Sequence, residues 1–275
     1  MSIAAVRAAL CQITSTADPS HNLSQVRAAV GRAAEQGARI VVFPEATMAC
    51  FGTPLAAVAE PLDGQWARAL AEIADDHGVL IAAGMFTPAG ERVRNTVLLT
   101  GLGYHLGYHK IHLYDAFGYR ESDTVAAGTD YVTVSVDGLV LGVATCYDVR
   151  FPALFQQLAE RGASAIMLPT SWGAGKGKVQ QWQTLVRARA LDSGSWILAC
   201  DQADPRFTGL ALNPSAPTGI GRSMVADPFG RVVDRLESGP GMLVVTIDAA
   251  TATAARAATG VLANRAMCNR LTAKH

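Results

Sequence analysis

Short apolar runs alternate with amphipathic stretches along most of the chain. The runs with the length of buried strands are residues 1–11, 40–44, 79–87, 139–145, 164–169 and 196–201. The stretches with apolar side chains at helical spacing are residues 18–37, 65–77, 152–161 and 179–193. Asp18 and Pro19 suit the N-cap and first position of the first helix. Alternating strands and helices predict α/β layering.

Two parts of the pattern predict strands without an intervening helix. The run 79–87 is followed by strand-like stretches at 94–100 and 104–108, which indicates an antiparallel meander. A second meander is predicted from residues 224–227, 231–236 and 242–247. Neither an internal repeat nor a linker divides the chain, so we expect one domain over residues 1–275. The Ala-rich residues 249–275 are predicted to be a helical extension that packs on a partner subunit.

Three chemically reactive side chains each stand just past a predicted strand: Glu45, Lys110 and Cys146. In open α/β sheets, sites assemble in the crevice beyond the strand ends. A carboxylate at the end of a buried run must be solvated, paired or functional. A cysteine at a strand-to-helix turn, with Pro152 opening the helix, is expected to have a lowered pKa because helix N-termini carry partial positive charge. The three residues therefore form a candidate site.

The residues around these positions form three motifs: Phe43-Pro44-Glu45, His109-Lys110-Ile111-His112-Leu113 and Cys146-Tyr147-Asp148. From about residue 6 to 248, the chain resembles the nitrilase superfamily, the carbon-nitrogen hydrolases with a Glu-Lys-Cys triad. Its Cys-Tyr-Asp-x-Arg-Phe-Pro motif is similar to the Nit-type amidases, whereas true nitrilases usually show Cys-Trp-Glu. The departures from the pattern, Ala153, a short loop at 115–121 and the segment 173–178, lie where substrate preference is expected to be set.

The resemblance implies a four-layer αββα sandwich that forms homodimers, with Glu45, Lys110 and Cys146 as the catalytic residues. Amide hydrolysis needs a nucleophile, a proton shuttle and a stabilised oxyanion. We expect Cys146 to attack, Glu45 to carry the proton, and Lys110 with the backbone N–H of Tyr147 to hold the oxyanion. Glu121 is expected to support them by orienting Lys110 or the substrate.

Further residues are candidates for the walls of the substrate pocket: His112, Tyr114, Arg150, Thr170, Ser171 and Trp172. The glycine- and lysine-rich segment 173–178 lacks the spacing of a phosphate-binding loop. It is predicted to be a flexible, basic lip that attracts a substrate carboxylate. His105, His109 and His112 lack accompanying ligands of recognised spacing, so neither a metal nor a cofactor is expected.

The composition of the chain limits the kinds of molecule that the protein is expected to bind. The chain has 23 basic and 23 acidic residues, which argues against a general nucleic-acid or anionic-membrane partner and favours a small molecule. Five cysteines, an odd number, suit a reducing compartment. Arg7 interrupts what would be the core of a signal peptide, and no apolar run approaches the ~20 residues of a membrane span. We expect a cytoplasmic protein.

Three functions remain open. The first is an amidase that releases ammonia from a small carboxylate-bearing amide, such as deaminated glutathione or an ω-amide of a 2-oxo acid, as the Nit-type resemblance implies. The second is the same fold acting on an N-carbamoyl amine or a nitrile. The third is a non-catalytic scaffold, which the burial of a glutamate and a lysine beside a thiol disfavours.

Overall fold

The computed structural model of the protein describes residues 5–209 and 216–265. Its strands, in chain order, are β1 (Val6–Gln12), β2 (Ile40–Val42), β3 (Leu80–Ala89), β4 (Arg92–Gly101), β5 (Tyr104–His109), β6 (Asp115–Ala116), β7 (Tyr119–Arg120), β8 (Thr133–Val136), β9 (Leu139–Val143), β10 (Ala165–Thr170), β11 (Trp196–Asp201), β12 (Met224–Ala226), β13 (Val232–Arg235) and β14 (Gly241–Ile247). Its α-helices are α1 (Pro19–Glu35), α2 (Leu55–Val58), α3 (Gln65–His77), α4 (Pro152–Glu160), α5 (Lys178–Ser193) and α6 (Ala249–Thr259). Three 3-10 helices cover Glu121–Asp123, Cys146–Arg150 and Pro205–Phe207.

Two six-stranded sheets carry the fold. Their strand orders are β14-β1-β2-β3-β4-β5 and β13-β12-β11-β10-β9-β8. In the first sheet, β1, β2 and β3 are parallel neighbours, and in the second, β9, β10 and β11 are. All other neighbouring strands in these two sheets pair in antiparallel fashion. Each sheet therefore has a parallel centre, whose strand ends open to one side.

The period-2 alternation of strands explains the layering. In β1, Ala8 and Leu10 point into a core between the two sheets, whereas Ala9 and Cys11 face a second core under α1 and α3. A third core lies between the other sheet and the helices α4 and α5. Three apolar interfaces separate four layers, so the expected αββα sandwich is confirmed.

The second predicted meander is wrong. Strands β12 and β13 pair with each other as expected, but β14 crosses to the other sheet and pairs with β1 along its whole length. The alternating pattern of a half-buried strand gives no information about which sheet supplies its partner, which is why the pattern alone misassigned it. The first predicted meander, β3 to β5, is confirmed.

Helix α6 begins at Asp248, whose carboxylate accepts a hydrogen bond from Thr251 N at 2.7 Å. The side chains of Ala252 and Ala255 are buried against the same chain. The packing of residues 249–275 on a partner subunit stays a prediction, and residues 266–275 lie outside the described residues. Within the described ranges, no helix combines the length and apolar character that a membrane crossing requires.

Candidate active site

The carboxyl ends of β2, β5 and β9 bring the three reactive side chains together. Glu45 follows β2, and Cys146 follows β9 of the facing sheet. Lys110 comes directly after β5, where its N–H donates to Asn95 O in β4 at 2.9 Å. All three side chains are almost fully buried, and they line one cavity. The two sheets thus contribute opposite walls of a single site.

A buried ionic cluster joins Glu45, Lys110 and Glu121. The ammonium of Lys110 donates to Glu45 Oε1 at 2.9 Å and to Glu121 Oε2 at 2.8 Å. The amide of Asn95 lies between the two carboxylates and donates to Glu45 Oε1 at 2.7 Å and to Glu121 Oε1 at 2.9 Å. The backbone N–H of Ser171 donates to Glu45 Oε2 at 2.9 Å. Each carboxylate therefore has donors on both oxygens, which reduces the free-energy cost of burying its charge.

The cluster shifts the proton affinities of its members. Burial raises the pKa of Glu45, the ammonium of Lys110 opposes this, and the carboxylate of Glu121 adds to it. Burial alone would lower the pKa of Lys110, but Glu121 and Glu45 outweigh it, so this pKa lies well above its ordinary value. Lys110 is consequently a fixed cation, whereas Glu45 is a base of increased proton affinity.

A tight turn places the thiol of Cys146 in the cavity. Cys146 has a φ of 46° and begins the 3-10 helix Cys146–Arg150. The buried carboxylate of Asp148 stabilises the turn because it accepts hydrogen bonds from Thr145 N at 2.9 Å and from the hydroxyl of Tyr108 at 2.7 Å. It also accepts from His112 N at 3.0 Å. A non-glycine residue with positive φ is uncommon and marks a position held by its surroundings.

The expected lowering of the cysteine pKa is wrong for this structure. Burial raises the pKa of Cys146 well above its ordinary value, and the neighbouring carboxylate and hydrogen bond of Glu45 raise it further. Lys110 acts in the opposite direction but does not compensate. The helix that Cys146 opens is a short 3-10 helix, so its dipole is weak beside these effects. The thiol is therefore protonated at rest. It donates a hydrogen bond to Ser171 O at 3.8 Å, and Glu45 lines the same cavity.

The cavity has an empty volume of about 370 Å³, including the part that opens to solvent. Of the pocket residues named from the sequence, four line it: Tyr114, Arg150, Ser171 and Trp172. The other two lie behind its walls. The ring of His112 stacks on Phe151, and its Nδ1 lies 2.7 Å from Asp148 Oδ1. The hydroxyl of Thr170 donates to Leu168 O at 3.1 Å within its own strand.

Four residues of the site were not named individually from the sequence: Asn95, Phe51, Tyr119 and Pro217. Tyr119 does lie in the loop 115–121, where substrate preference was expected to be set. The sequence does contain an indication that Asn95 is functional, because asparagine is depleted in strands and this asparagine interrupts an apolar strand pattern. Phe51, Tyr119 and Pro217 lie in or beside loops, where periodicity predicts no direction for a side chain. Lys178, from the predicted basic lip, has its side chain in the cavity wall rather than in solvent.

The remaining conspicuous side chains have structural contacts. His105 Nδ1 lies 2.9 Å from the hydroxyl of Thr100, and His109 Nδ1 lies 2.9 Å from that of Thr96. Cys11 and Cys200 are fully buried in strands, and burial raises the pKa of Cys11 to about 12. Their thiols are accordingly inert core groups.

The chain is similar to known proteins along most of its length. A family model described as carbon-nitrogen hydrolase matches residues 7–257. A Mycobacterium tuberculosis H37Rv protein described as a hydrolase is 51% identical over 267 residues, which cover 94% of this chain and 95% of the relative. The deaminated glutathione amidase of Mus musculus is 32% identical over 256 residues, which cover 87% of this chain and 77% of that relative.

Among solved structures, the amidase of Nesterenkonia sp. AN1 is similar with a TM-score of 0.80 and 29% identity, and the match covers 96% of this chain and 98% of that one. In a variant of that enzyme, the acetamide moiety of fluoroacetamide is covalently added to the active-site cysteine. The family match spans most of the chain, and the Cys-Tyr-Asp motif lies at the cavity described above. The chain therefore belongs to the carbon-nitrogen hydrolase family, as an amidase-type member of the Nit-type branch of the nitrilase superfamily.

Proposed function

We propose that the protein releases ammonia from a small carboxylate-bearing amide through a thioester on Cys146, with Glu45 and Lys110 completing the catalytic triad. The observation that carries the proposal is the convergence of a thiol, a carboxylate of raised pKa and a fixed ammonium in one enclosed cavity. These are the three parts that acyl transfer needs: a nucleophile, a proton shuttle and a positive partner for the oxyanion.

In the first half-reaction, Sγ of Cys146 forms a bond to the amide carbon while Glu45 takes the thiol proton. The carbonyl oxygen becomes an oxyanion. Two of the three N–H groups of Lys110 are used by Glu45 and Glu121, which leaves one for this oxyanion. Tyr147, as the second residue of its 3-10 helix, has no intrahelical acceptor for its N–H and supplies the other donor. The C–N bond then breaks as Glu45 passes the proton to the leaving nitrogen, and ammonia departs.

In the second half-reaction, water attacks the thioester carbon. Glu45, again ionised, takes a proton from this water, and the same two donors hold the second oxyanion. The C–S bond breaks, the acid product leaves, and the proton on Glu45 returns to the sulfur. A carboxylate whose pKa is raised suits both directions of this transfer, because it binds a proton more readily and still releases it.

Glu121 and Asn95 have positioning roles in this scheme. Glu121 accepts from Lys110 Nζ and also from Tyr114 N at 2.6 Å, so it fixes the ammonium relative to the loop at the pocket wall. Asn95 keeps the two carboxylates apart by donating to both. Two carboxylates this close would otherwise repel each other and take up a proton between them.

The substrate class rests on the relatives and on the cavity. The deaminated glutathione amidases act on an amide that their name specifies, and the small cavity suits a compact acyl group. The ω-amides of 2-oxo acids, which would release ammonia, are therefore the first substrates to consider. Deaminated glutathione, whose amide nitrogen would leave as an amine rather than as ammonia, is assayed by release of its acid product. N-carbamoyl amines and nitriles are the second candidates, because the same thiol chemistry would serve them, and a non-catalytic scaffold is the third.

The test is ammonia release by purified protein from a panel of amides, nitriles and N-carbamoyl compounds. We expect turnover of carboxylate-bearing amides, its loss in Cys146→Ala, and normal turnover in Cys50→Ala, which removes a buried cysteine outside the cavity wall. Mass spectrometry of the wild-type protein, quenched with acid during turnover, would reveal the acyl-enzyme on Cys146, and Glu45→Gln, which lacks the base for both half-reactions, should lose turnover. Turnover that persists in Cys146→Ala would contradict the proposal.

A further inference from the structure

Two cations on the wall of the cavity are not used by the proposed mechanism. Lys178 begins α5, and Arg150 ends the 3-10 helix that Cys146 begins. Within residues 5–209 and 216–265, neither forms an ion pair with a carboxylate, although nine such pairs of a lysine or arginine occur there. Charged side chains are rarely buried without a partner of opposite charge. The buried Lys178, and the half-buried Arg150 beside it, therefore require an explanation.

Lys178 is held by aromatic rings instead of an acid. Its side chain is 8% exposed. The Nζ atom lies 3.4 Å from the ring centroid of Phe117 and 5.8 Å from those of Tyr114 and Trp172. Cation–π contacts stabilise an ammonium only in part, by about 0.5–2 kcal/mol, and leave its hydrogen-bond donors unfilled.

Arg150 lies on the same wall with spare donors. Its guanidinium carbon is 5.2 Å from the ring centroid of Trp172 and 5.7 Å from that of Tyr147. One nitrogen, Nη2, donates to Gln181 Oε1 at 2.7 Å. Its Nε is buried and has no hydrogen-bond partner among the residues that the structure describes. An arginine with its planar fork facing a cavity suits a carboxylate, which it can bind in a bidentate manner.

The charges around the cavity are unbalanced. Three cations, Lys110, Arg150 and Lys178, face two carboxylates, Glu45 and Glu121. Burial lowers the pKa of Lys178, the neighbouring charge of Arg150 lowers it further, and Cys146 is close enough to oppose them. The two cations thus repel each other across a space that adjoins the nucleophile. A single anion placed there would relieve this repulsion and fill the empty donors.

We infer that the wall between Lys178 and Arg150 is a subsite for the carboxylate at the far end of the substrate's acyl group, and that Lys178 determines the preference for such amides. The inference rests on the proposed amidase function and assigns the part of the site that recognises its substrate class. Lys110 is unavailable for this task, because Glu45 and Glu121 take two of its three N–H donors and the proposed mechanism uses the third for the oxyanion.

The experiment compares two substrates that differ by one charge: glutaramate, the monoamide of glutarate, and glutaramide, its neutral diamide. We expect the wild-type enzyme to favour glutaramate in kcat/KM. Lys178→Met should reduce the preference for glutaramate over glutaramide about 10- to 100-fold, mostly through KM, since a hydrogen bond to a charged group contributes about 1.5–3 kcal/mol. Lys178→Arg, which keeps the charge, should restore most of the preference.

The same segment offers a matched control. Lys176 lies two residues away but is exposed and outside the cavity wall. Lys176→Met removes the same charge from the protein without touching the subsite, so the preference for glutaramate should persist in it. An equal loss in Lys176→Met and Lys178→Met would show general attraction by the positive segment and would overturn the subsite.

A binding measurement separates this inference from the proposed function. Calorimetry with glutaramate and the Cys146→Ala protein needs no turnover, and adding Lys178→Met should raise Kd about 10- to 100-fold. Absence of hydrolysis together with Lys178-dependent binding would reject the amidase proposal but keep the subsite. Hydrolysis of both amides without discrimination, or binding that ignores Lys178, would reject the subsite and keep the amidase.

Discussion

At the scale of single residues, the central feature is a proton that Glu45 and Cys146 must exchange. Burial raises the pKa of Glu45 and the pKa of Cys146. When Glu45 is ionised in the resting enzyme, the proton is therefore on the sulfur of Cys146. Below the raised pKa of Glu45, the carboxyl is protonated and cannot take the thiol proton. The acid limb of kcat/KM should therefore lie above pH 4.5, the ordinary value for a glutamate. Lys110 stays charged at every working pH, because its pKa is raised well above normal.

Asn95→Asp tests the charge balance of this site. The substitution replaces an amide that donates to Glu45 and Glu121 with a third carboxylate, and like charges raise each other's pKa. We expect the acid limb to move to higher pH. At pH values below the pKa of Glu45, the rate follows its ionised fraction, which falls about tenfold when the pKa rises by about 1, so kcat/KM on the acid limb should fall about tenfold. The measurement is the pH profile of kcat/KM.

The exposed Asn264→Asp is the control, since it adds the same charge away from the site. If Asn95→Asp lowered kcat/KM equally at every pH and left the acid limb in place, Asn95 would have only a structural role. Asn95→Ser, which retains a hydroxyl donor without adding charge, should lower the rate but leave the limb nearer its original position.

At the scale of secondary-structure elements, the hydrophobic pattern predicted the bounds of a strand or helix correctly where the element is buried by a single interface. Helix α3 and strand β11 have the predicted bounds, Gln65–His77 and Trp196–Asp201. The strand ends that carry Glu45, Lys110 and Cys146 were predictable for the same reason. The partner of β14 and the direction of Lys178 were not, because both depend on contacts between residues far apart in the chain.

The close packing of β3 against the loop after β2 offers a test of how an element positions the base. Gly84 N donates to Pro44 O at 3.1 Å, and a Cβ on Gly84 would lie 2.8 Å from Glu45 Cα and closer still to Ala46 N. We expect Gly84→Ala to displace Glu45, to lower kcat up to about 100-fold and to destabilise the fold by about 1–3 kcal/mol. Steady-state kinetics and thermal unfolding would measure the two effects.

Gly31→Ala is the matched control, because its nearest neighbour is the ring of His77 at 3.8 Å and its site in α1 is open. It should keep full activity and stabilise the helix by about 0.4–1 kcal/mol. Full activity in Gly84→Ala would show that the loop adjusts freely and that the strand does not fix Glu45.

At the scale of the whole molecule, the two sheets depend on each other. The core between them contains side chains from both, and the active site takes Glu45 from one and Cys146 from the other. The chain also returns from the second sheet to the first through β14. Neither sheet can expose its inner face without losing this shared apolar contact. The described part of the chain should therefore unfold as one cooperative unit, in line with the prediction of a single domain.

Two buried leucines in different layers test this cooperativity. Leu198 lies between the sheets, Leu70 belongs to α3 and packs in the core between the helices and the first sheet, and both are fully buried. Leu198→Ala and Leu70→Ala should each destabilise the protein by about 2–5 kcal/mol and lower the same single transition in calorimetry and circular dichroism. Leu191→Ala, at a side chain that is 47% exposed, should leave the transition almost unchanged. Protein concentration must be constant, because any self-association would shift the midpoint. Two transitions, of which each buried substitution moves only one, would instead mean that the sheets fold independently and that the site forms only when they dock.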